Sequence, residues 1–94
     1  MKFSYVYILI NKYRTTFYIG VTANLLKRLK EHSDETASKF TKNYNIKDLI
    51  YFEEFSDIEQ AILREKQLKN WHKAWKLNLV KTVNPTLKNF RLLI

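Results

Sequence analysis

The chain has no cysteine, one glycine and one proline. Without cysteine there is no disulfide and no thiolate metal site, so zinc ribbons and cysteine nucleophiles are excluded and nothing points to an oxidising compartment. Scarce glycine and proline, beside 46% hydrophobic and 15% aromatic residues, exclude collagen-like repeats, low complexity and disorder. No apolar run approaches the roughly 18 residues that cross a bilayer. The N-terminal run from Tyr5 to Ile10 falls far short and has no signal-peptide cleavage pattern. The expectation is a soluble, cytoplasmic protein with no membrane attachment. No repeat or linker interrupts the 94 residues, so one domain over 1–94 is expected, with a modest core.

Acidic residues are also few, 9 against 17 lysines and arginines, giving a formal net charge of +8. Such an excess attracts phosphate polymers by releasing their condensed counterions. The basic residues are scattered over several segments rather than gathered on one amphipathic helix, which favours nucleic acid over an anionic membrane.

Ser4 to Ile10 and Thr16 to Thr22 are β-rich runs separated by a polar loop, and together they predict a hairpin. Alternation sets Tyr5, Tyr7 and Leu9 on one face of the first strand, and separates Tyr18 and Gly20 from Phe17, Ile19 and Val21 in the second. Thr22 is the expected N-cap of a helix reaching about His32, along which Leu25, Leu29 and His32 line up, with Arg28 at one edge of the sector. A short helical turn is expected around Phe40 and Tyr44, and a third strand over Leu49 to Phe55. Asp57 then caps a long helix with Ile58, Ala61, Ile62 and Leu68 at helical spacing. It breaks near Trp71 to Trp75, continues to about Thr82, and ends at Asn84-Pro85 because a residue before proline disfavours helical dihedrals. The expected class is α+β, a small, mainly antiparallel three-stranded sheet flanked by helices.

Glu65 is the most informative position, since the helical period sets it among Ile58, Ala61, Ile62 and Leu68, in the middle of the apolar stripe. A lone carboxylate there needs a cation, a metal or strong donors. The simpler reading is an ion pair with Arg28 or a lysine. His32 on the inward side of its helix is, taken alone, more often a satisfied core residue. Arg28 one turn away changes that, because a guanidinium forks onto phosphate oxygens while an imidazole orients or protonates a reacting group. Tyr7 and Tyr18 singly read as packing. Gly20 leaves space on the Tyr18 face for close approach by a ligand or another backbone. Lys66, Lys69, Lys73 and Lys76 with Trp71 and Trp75 suit a phosphate backbone and stacked bases, although such a run is more often a solvated helix face with lysine stems covering apolar surface.

In order along the chain, Tyr5-Val6-Tyr7-Ile8-Leu9, Tyr18-Ile19-Gly20-Val21-Thr22, Arg28 with His32, Phe40-Thr41, Ala61-Ile62-Leu63-Arg64-Glu65-Lys66 and Asn84-Pro85 resemble the GIY-YIG nuclease domain in its small stand-alone bacterial form. The resemblance implies a DNA endonuclease with Tyr7, Tyr18, Arg28, His32 and Glu65 in the active site. In it Glu65 holds one divalent metal, Mg²⁺ or Mn²⁺, and Arg28 binds phosphate. Gly20, Lys39, Thr41, Lys66, Lys69 and Asn84 are the implied substrate contacts. Two departures stand out: Tyr5 replaces the signature glycine, and Val21 stands where excision-repair incision enzymes have lysine. The implied substrate is branched or single-stranded DNA, cut in repair or recombination with little sequence specificity, since no appended DNA-reading domain is evident. A phenol acting as base would need its pKa lowered by nearby positive charge. The alternative from another class is a catalytically silent nucleic-acid-binding module with the same fold.

Overall fold

Eight residues of the first strand, SYVYILIN, are all buried or nearly so, a pattern that belongs to a strand flanked on both edges and covered on both faces. The computed structural model, which describes residues 3–34 and 39–90 (backbone only for Ser33, Lys39 and Phe40), places it there. The elements are β1 (Ser4–Asn11), β2 (Phe17–Thr22), α1 (Leu25–Ser33), α2 (Lys39–Asn43), β3 (Ile46–Phe55), α3 (Ile58–Asn70) and α4 (Lys73–Lys81). The sheet order is β2-β1-β3, antiparallel throughout. The fold is α+β, as the hydrophobic periods indicate.

The side-chain period of two divides β1 between two cores. Val6, Ile8 and Ile10 face one way and pack with Ile19, Ile50, Tyr51, Ala61, Leu68 and Val80, beneath α3 and α4. Tyr7 and Leu9 face the other and pack with Leu25, Leu29, Ile46 and Leu49, beneath α1. A register shift between Ile8 and Leu9 pairs Ile8 with Tyr51 but Leu9 with Leu49. The extra residue in β3 lets the neighbours Ile50 and Tyr51 join the same core, which strict alternation forbids.

Two boundaries differ from expectation. β2 runs through Thr22, and the N-cap of α1 is Asn24, whose side chain accepts from the Lys27 amide at 3.1 Å. Thr22 serves the turn instead, its Oγ1 accepting from the Asn24 amide at 3.1 Å. β3 starts at Ile46, a fully buried residue, three positions before the predicted start.

Asp57 caps α3 as expected, accepting from the Glu59 amide at 2.9 Å. The helix breaks at Trp71 and His72, both extended, with ψ of 148° and 152°. Trp71 packs against the core there, with the Arg64 guanidinium 5.3 Å from its ring centroid. Arg64 also forks onto Glu53 of β3 at 2.9 and 3.0 Å, fixing α3 to the sheet. Asn84, expected among the substrate contacts, is 3% exposed and holds the chain end together. Its Nδ2 donates to the carbonyls of Ile50 and Lys88 at 3.0 and 2.8 Å, and its Oδ1 accepts from the Lys88 amide at 2.9 Å. Those bonds use both amide hydrogens and one of the two acceptor sites of Oδ1, so Asn84 serves the fold in this arrangement.

Candidate functional site

Tyr7 is paired with Gly20 across the β1–β2 ladder, and Tyr18 lies two residues earlier on the same strand, so both phenols face the α1 layer. Their ring centroids are 6.3 Å apart. A Cβ added to Gly20 would lie 2.4 Å from both Cζ and the oxygen of Tyr7. The space left by the glycine is therefore filled by the Tyr7 ring and not by a ligand, which corrects the expectation that Gly20 borders substrate.

α1 buries the side of its surface that carries Leu25, Leu29 and His32, leaving Leu26 62% exposed. That places His32, 2% exposed, against both tyrosines: its Nε2 is 3.0 Å from the Tyr7 hydroxyl and its ring centroid 5.2 Å from that of Tyr18. Its Nδ1 is 3.1 Å from Thr41 Oγ1, which α2 supplies. Hydroxyls satisfy both ring nitrogens in either tautomer. Burial, and then the positive charge of Arg28, lower the His32 pKa against an opposing contribution from Glu31, so the imidazole is neutral at pH 7. Thr41, expected at the substrate, is 1% exposed and holds His32 instead. The nine-residue separation of this pair matches no helical or strand period, so no pattern announces it.

Tyr7 is 1% exposed, and burial raises its pKa, with the neighbouring Tyr18 adding to the effect. The charges of Arg28 and Glu65 both reach its hydroxyl, Arg28 lowering the pKa and Glu65 raising it. Desolvation wins, so Tyr7 keeps its proton at neutral pH, contrary to the expectation of an activated phenol.

Arg28 stands one turn before His32. Its Nε is buried and has no hydrogen-bond partner among the described residues; the Glu31 carboxylate, at 3.9 Å, is too far to accept from it. The side chain as a whole is 38% exposed, and an oxyanion accepting from Nε would satisfy this donor. Glu65 is not enclosed in an apolar stripe. Ala61 and Leu68 form the buried edge of α3 while Ile58 is 43% exposed, and the Glu65 side chain is 16% exposed with Lys69 Nζ at 3.5 Å. The ion pair is thus with a lysine on its own helix rather than with Arg28. Lys66 is exposed on α3, and the Lys39 side chain lies outside the described residues.

Among the described residues no group of three or more histidine, cysteine, aspartate or glutamate side chains converges on a point. A single carboxylate of restricted exposure fits Mg²⁺ or Mn²⁺, hard cations held by one or two carboxylates together with substrate phosphates and water. Among the described residues no helix is long and apolar enough to cross a membrane.

Residues 3–78 match the family model described as the GIY-YIG catalytic domain. The chain is 38% identical over 82 residues to a UPF0213 protein of Syntrophus aciditrophicus, covering 86% of this chain and 93% of the relative. It is 34% identical over 87 residues to a UPF0213 protein of Clostridium perfringens, covering 93% and 92%. The solution NMR structure of a UPF0213 protein from Bacillus halodurans is similar to this fold with a TM-score of 0.59 and 28% identity, over 93% of this chain and 92% of that one.

Proposed function

This chain belongs to the GIY-YIG family, whose members are nucleases, and on that ground we propose that it is a divalent-metal-dependent DNA endonuclease working at Tyr7, Tyr18, Arg28, His32 and Glu65. The observation that carries the reading is the orphaned Arg28 Nε beside a phenol–imidazole cluster. A phosphate oxygen supplies the acceptor that the described residues do not, and a guanidinium in that position neutralises charge building on the phosphoryl group.

Glu65 is the residue that would hold Mg²⁺, which when bound polarises a phosphoryl oxygen and stabilises the leaving oxygen. Tyr18, half-exposed on the tyrosine face, meets water and substrate, while Tyr7, buried and hydrogen-bonded, positions His32. His32, neutral at pH 7, accepts from the Tyr7 hydroxyl in the tautomer with a bare Nε2 and donates from Nδ1 to Thr41, and so holds the buried phenol in place. Tyr18, the phenol that meets solvent, positions the attacking water. Selection rests on DNA structure more than sequence, which suits repair or recombination in the cytoplasm on branched or single-stranded DNA.

The test is cleavage of labelled branched, single-stranded and duplex DNA in Mg²⁺, in Mn²⁺ and in EDTA. Cutting is expected only with metal and faster on the branched or single-stranded substrates. DNA binding without cleavage of any substrate under any of these conditions would instead establish the silent binding module.

A further inference from the structure

The positive charge is divided unevenly. Residues 1–65 hold ten basic and nine acidic side chains, whereas residues 66–94 hold seven basic and no acidic ones. Nearly the whole excess, which looks scattered when only the lysines are followed, thus belongs to the end of α3, to α4 and to the residues after it. α4 packs through Leu79 and Val80 on the aliphatic side of the sheet, away from the tyrosine layer.

A cleft of about 320 Å³, open to solvent, lies on this basic segment, lined by Trp71, Trp75, Asn78, Leu79 and Thr82. Trp75 is 56% exposed and, with Trp71, presents apolar ring surface to solvent at this cleft. Trp71 stands edge-on to it, with centroids 6.0 Å apart and planes at 80°. Trp71 is steadied by the core and by Arg64, so the pair makes a corner with one fixed wall. The Asn78 carboxamide has no hydrogen bond among the described residues, and an amide offers both donor and acceptor to the edge of a base. Lys73 is docked on the hairpin, donating to the Thr15 carbonyl at 2.7 Å. Lys76 and Lys81 of α4 make no ion pair among the described residues.

We propose that the Trp71–Trp75 cleft takes an unpaired nucleobase, with the strand's phosphates lying along the lysines of α4. An aromatic corner, an amide without a partner among the described residues, and a segment of seven basic and no acidic side chains are what single-stranded nucleic acid uses: stacking for the base and charge for the backbone. An apolar protein segment would be served by the tryptophans but not by the one-signed charge. The site lies outside the tyrosine cluster. It deepens the nuclease reading, on which it rests, by making unpaired DNA the favoured substrate.

The test is binding of a short fluorescent oligothymidylate and of a duplex, both in EDTA so that cutting plays no part. Trp75→Ala is expected to weaken oligothymidylate binding by about tenfold or more, and duplex binding by less than about twofold. Trp75→Phe, which keeps a stacking face, should stay near wild type, and circular dichroism confirms that each variant folds. Lys76→Gln and Lys81→Gln should each reduce the salt slope by about 1 without changing the preference for single strands. Unchanged oligothymidylate affinity in Trp75→Ala, an equal loss on duplex, or no oligothymidylate binding by wild type overturns the proposal. A protein that binds oligothymidylate through Trp75 yet cuts no DNA in Mg²⁺ removes the nuclease reading and leaves this site standing.

Discussion

On one face of the sheet Val6, Ile8 and Ile10 meet Ile19, Ile50, Ala61, Leu68 and Val80, aliphatic side chains joined at the edge by Tyr51, whose hydroxyl donates to Glu53. On the other, one residue along the same strand, Tyr7 lies under His32, which holds Thr41, with Arg28 at the rim. Both faces are closely packed, but burial does opposite work on them. Beneath α3 and α4 it removes hydrocarbon from water and stabilises the fold. Beneath α1 it strips water from titratable groups, keeping the Tyr7 proton on and holding His32 neutral. A strand of alternating period can carry a foundation and a reactive surface together, and substitutions on the two faces should separate stability from activity.

The largest expected effect is on rate. Glu65→Gln keeps size and helical propensity but removes the charge that holds a divalent metal, so single-turnover cleavage should fall on the order of a thousandfold. Affinity for DNA in EDTA should hold or improve. A variant that cuts at the wild-type rate would remove Glu65 from the site.

Next in size is a loss of stability on the aliphatic face. Ile8→Ala, at a position with no exposed surface, should cost about 2–5 kcal/mol in urea unfolding. Cleavage by the remaining folded protein should stay within a few-fold of wild type; a larger fall would show that the two faces are not separable.

Gly20→Ala belongs to both sides of the comparison. Its new Cβ would lie 2.4 Å from the Tyr7 ring unless that ring moves, so about 1–3 kcal/mol of stability should be lost along with the Tyr7–His32 hydrogen bond. Comparing its cleavage rate with that of Tyr7→Phe checks this. Similar losses in the two variants mean that the glycine acts through Tyr7.

The smallest effect is a dependence on pH. His32 titrates below its ordinary 6.5 when folded, so between that lowered value and 6.5 the unfolded chain binds more protons. Its contribution is therefore complete above about pH 6.5 and lost as pH falls through the folded pKa. Melting temperatures should drop across that interval in wild type and less in His32→Gln. At the alkaline end Tyr51, pushed up to about 12 by burial and by Glu53, adds a loss of stability as pH rises above 10.

Much of the fold was legible because it depends on local pattern. Alternation grouped Tyr7 with Leu9 and Tyr18 with Gly20, Asp57 announced α3, and the helical period brought His32 inward beside Leu25 and Leu29. What escaped depends on what lies across a gap in space. Thr22 and Asn24 are both good caps, and only the length of β2 decides between them. The bulge that turns Ile50 and Tyr51 to one core has no residue signature. Gly20 signals a close approach without saying that Tyr7 makes it, and Asn84 has the same composition whether it touches substrate or ties a chain end. Glu65 misled because a helical wheel gives direction but not depth: the stripe around it is narrower than its apolar residues suggest.

If the tyrosine face exists to hold a phosphate, Arg28 is where that shows, through single-turnover cleavage and urea unfolding of Arg28→Ala. Removing a guanidinium whose buried Nε has no acceptor among the described residues should leave stability unchanged or improved, while cleavage in Mg²⁺ falls about a hundredfold or more. Undiminished cleavage, or a loss of stability large enough to account for the lost rate, would mean that the guanidinium serves the fold or nothing at all, and not a phosphate.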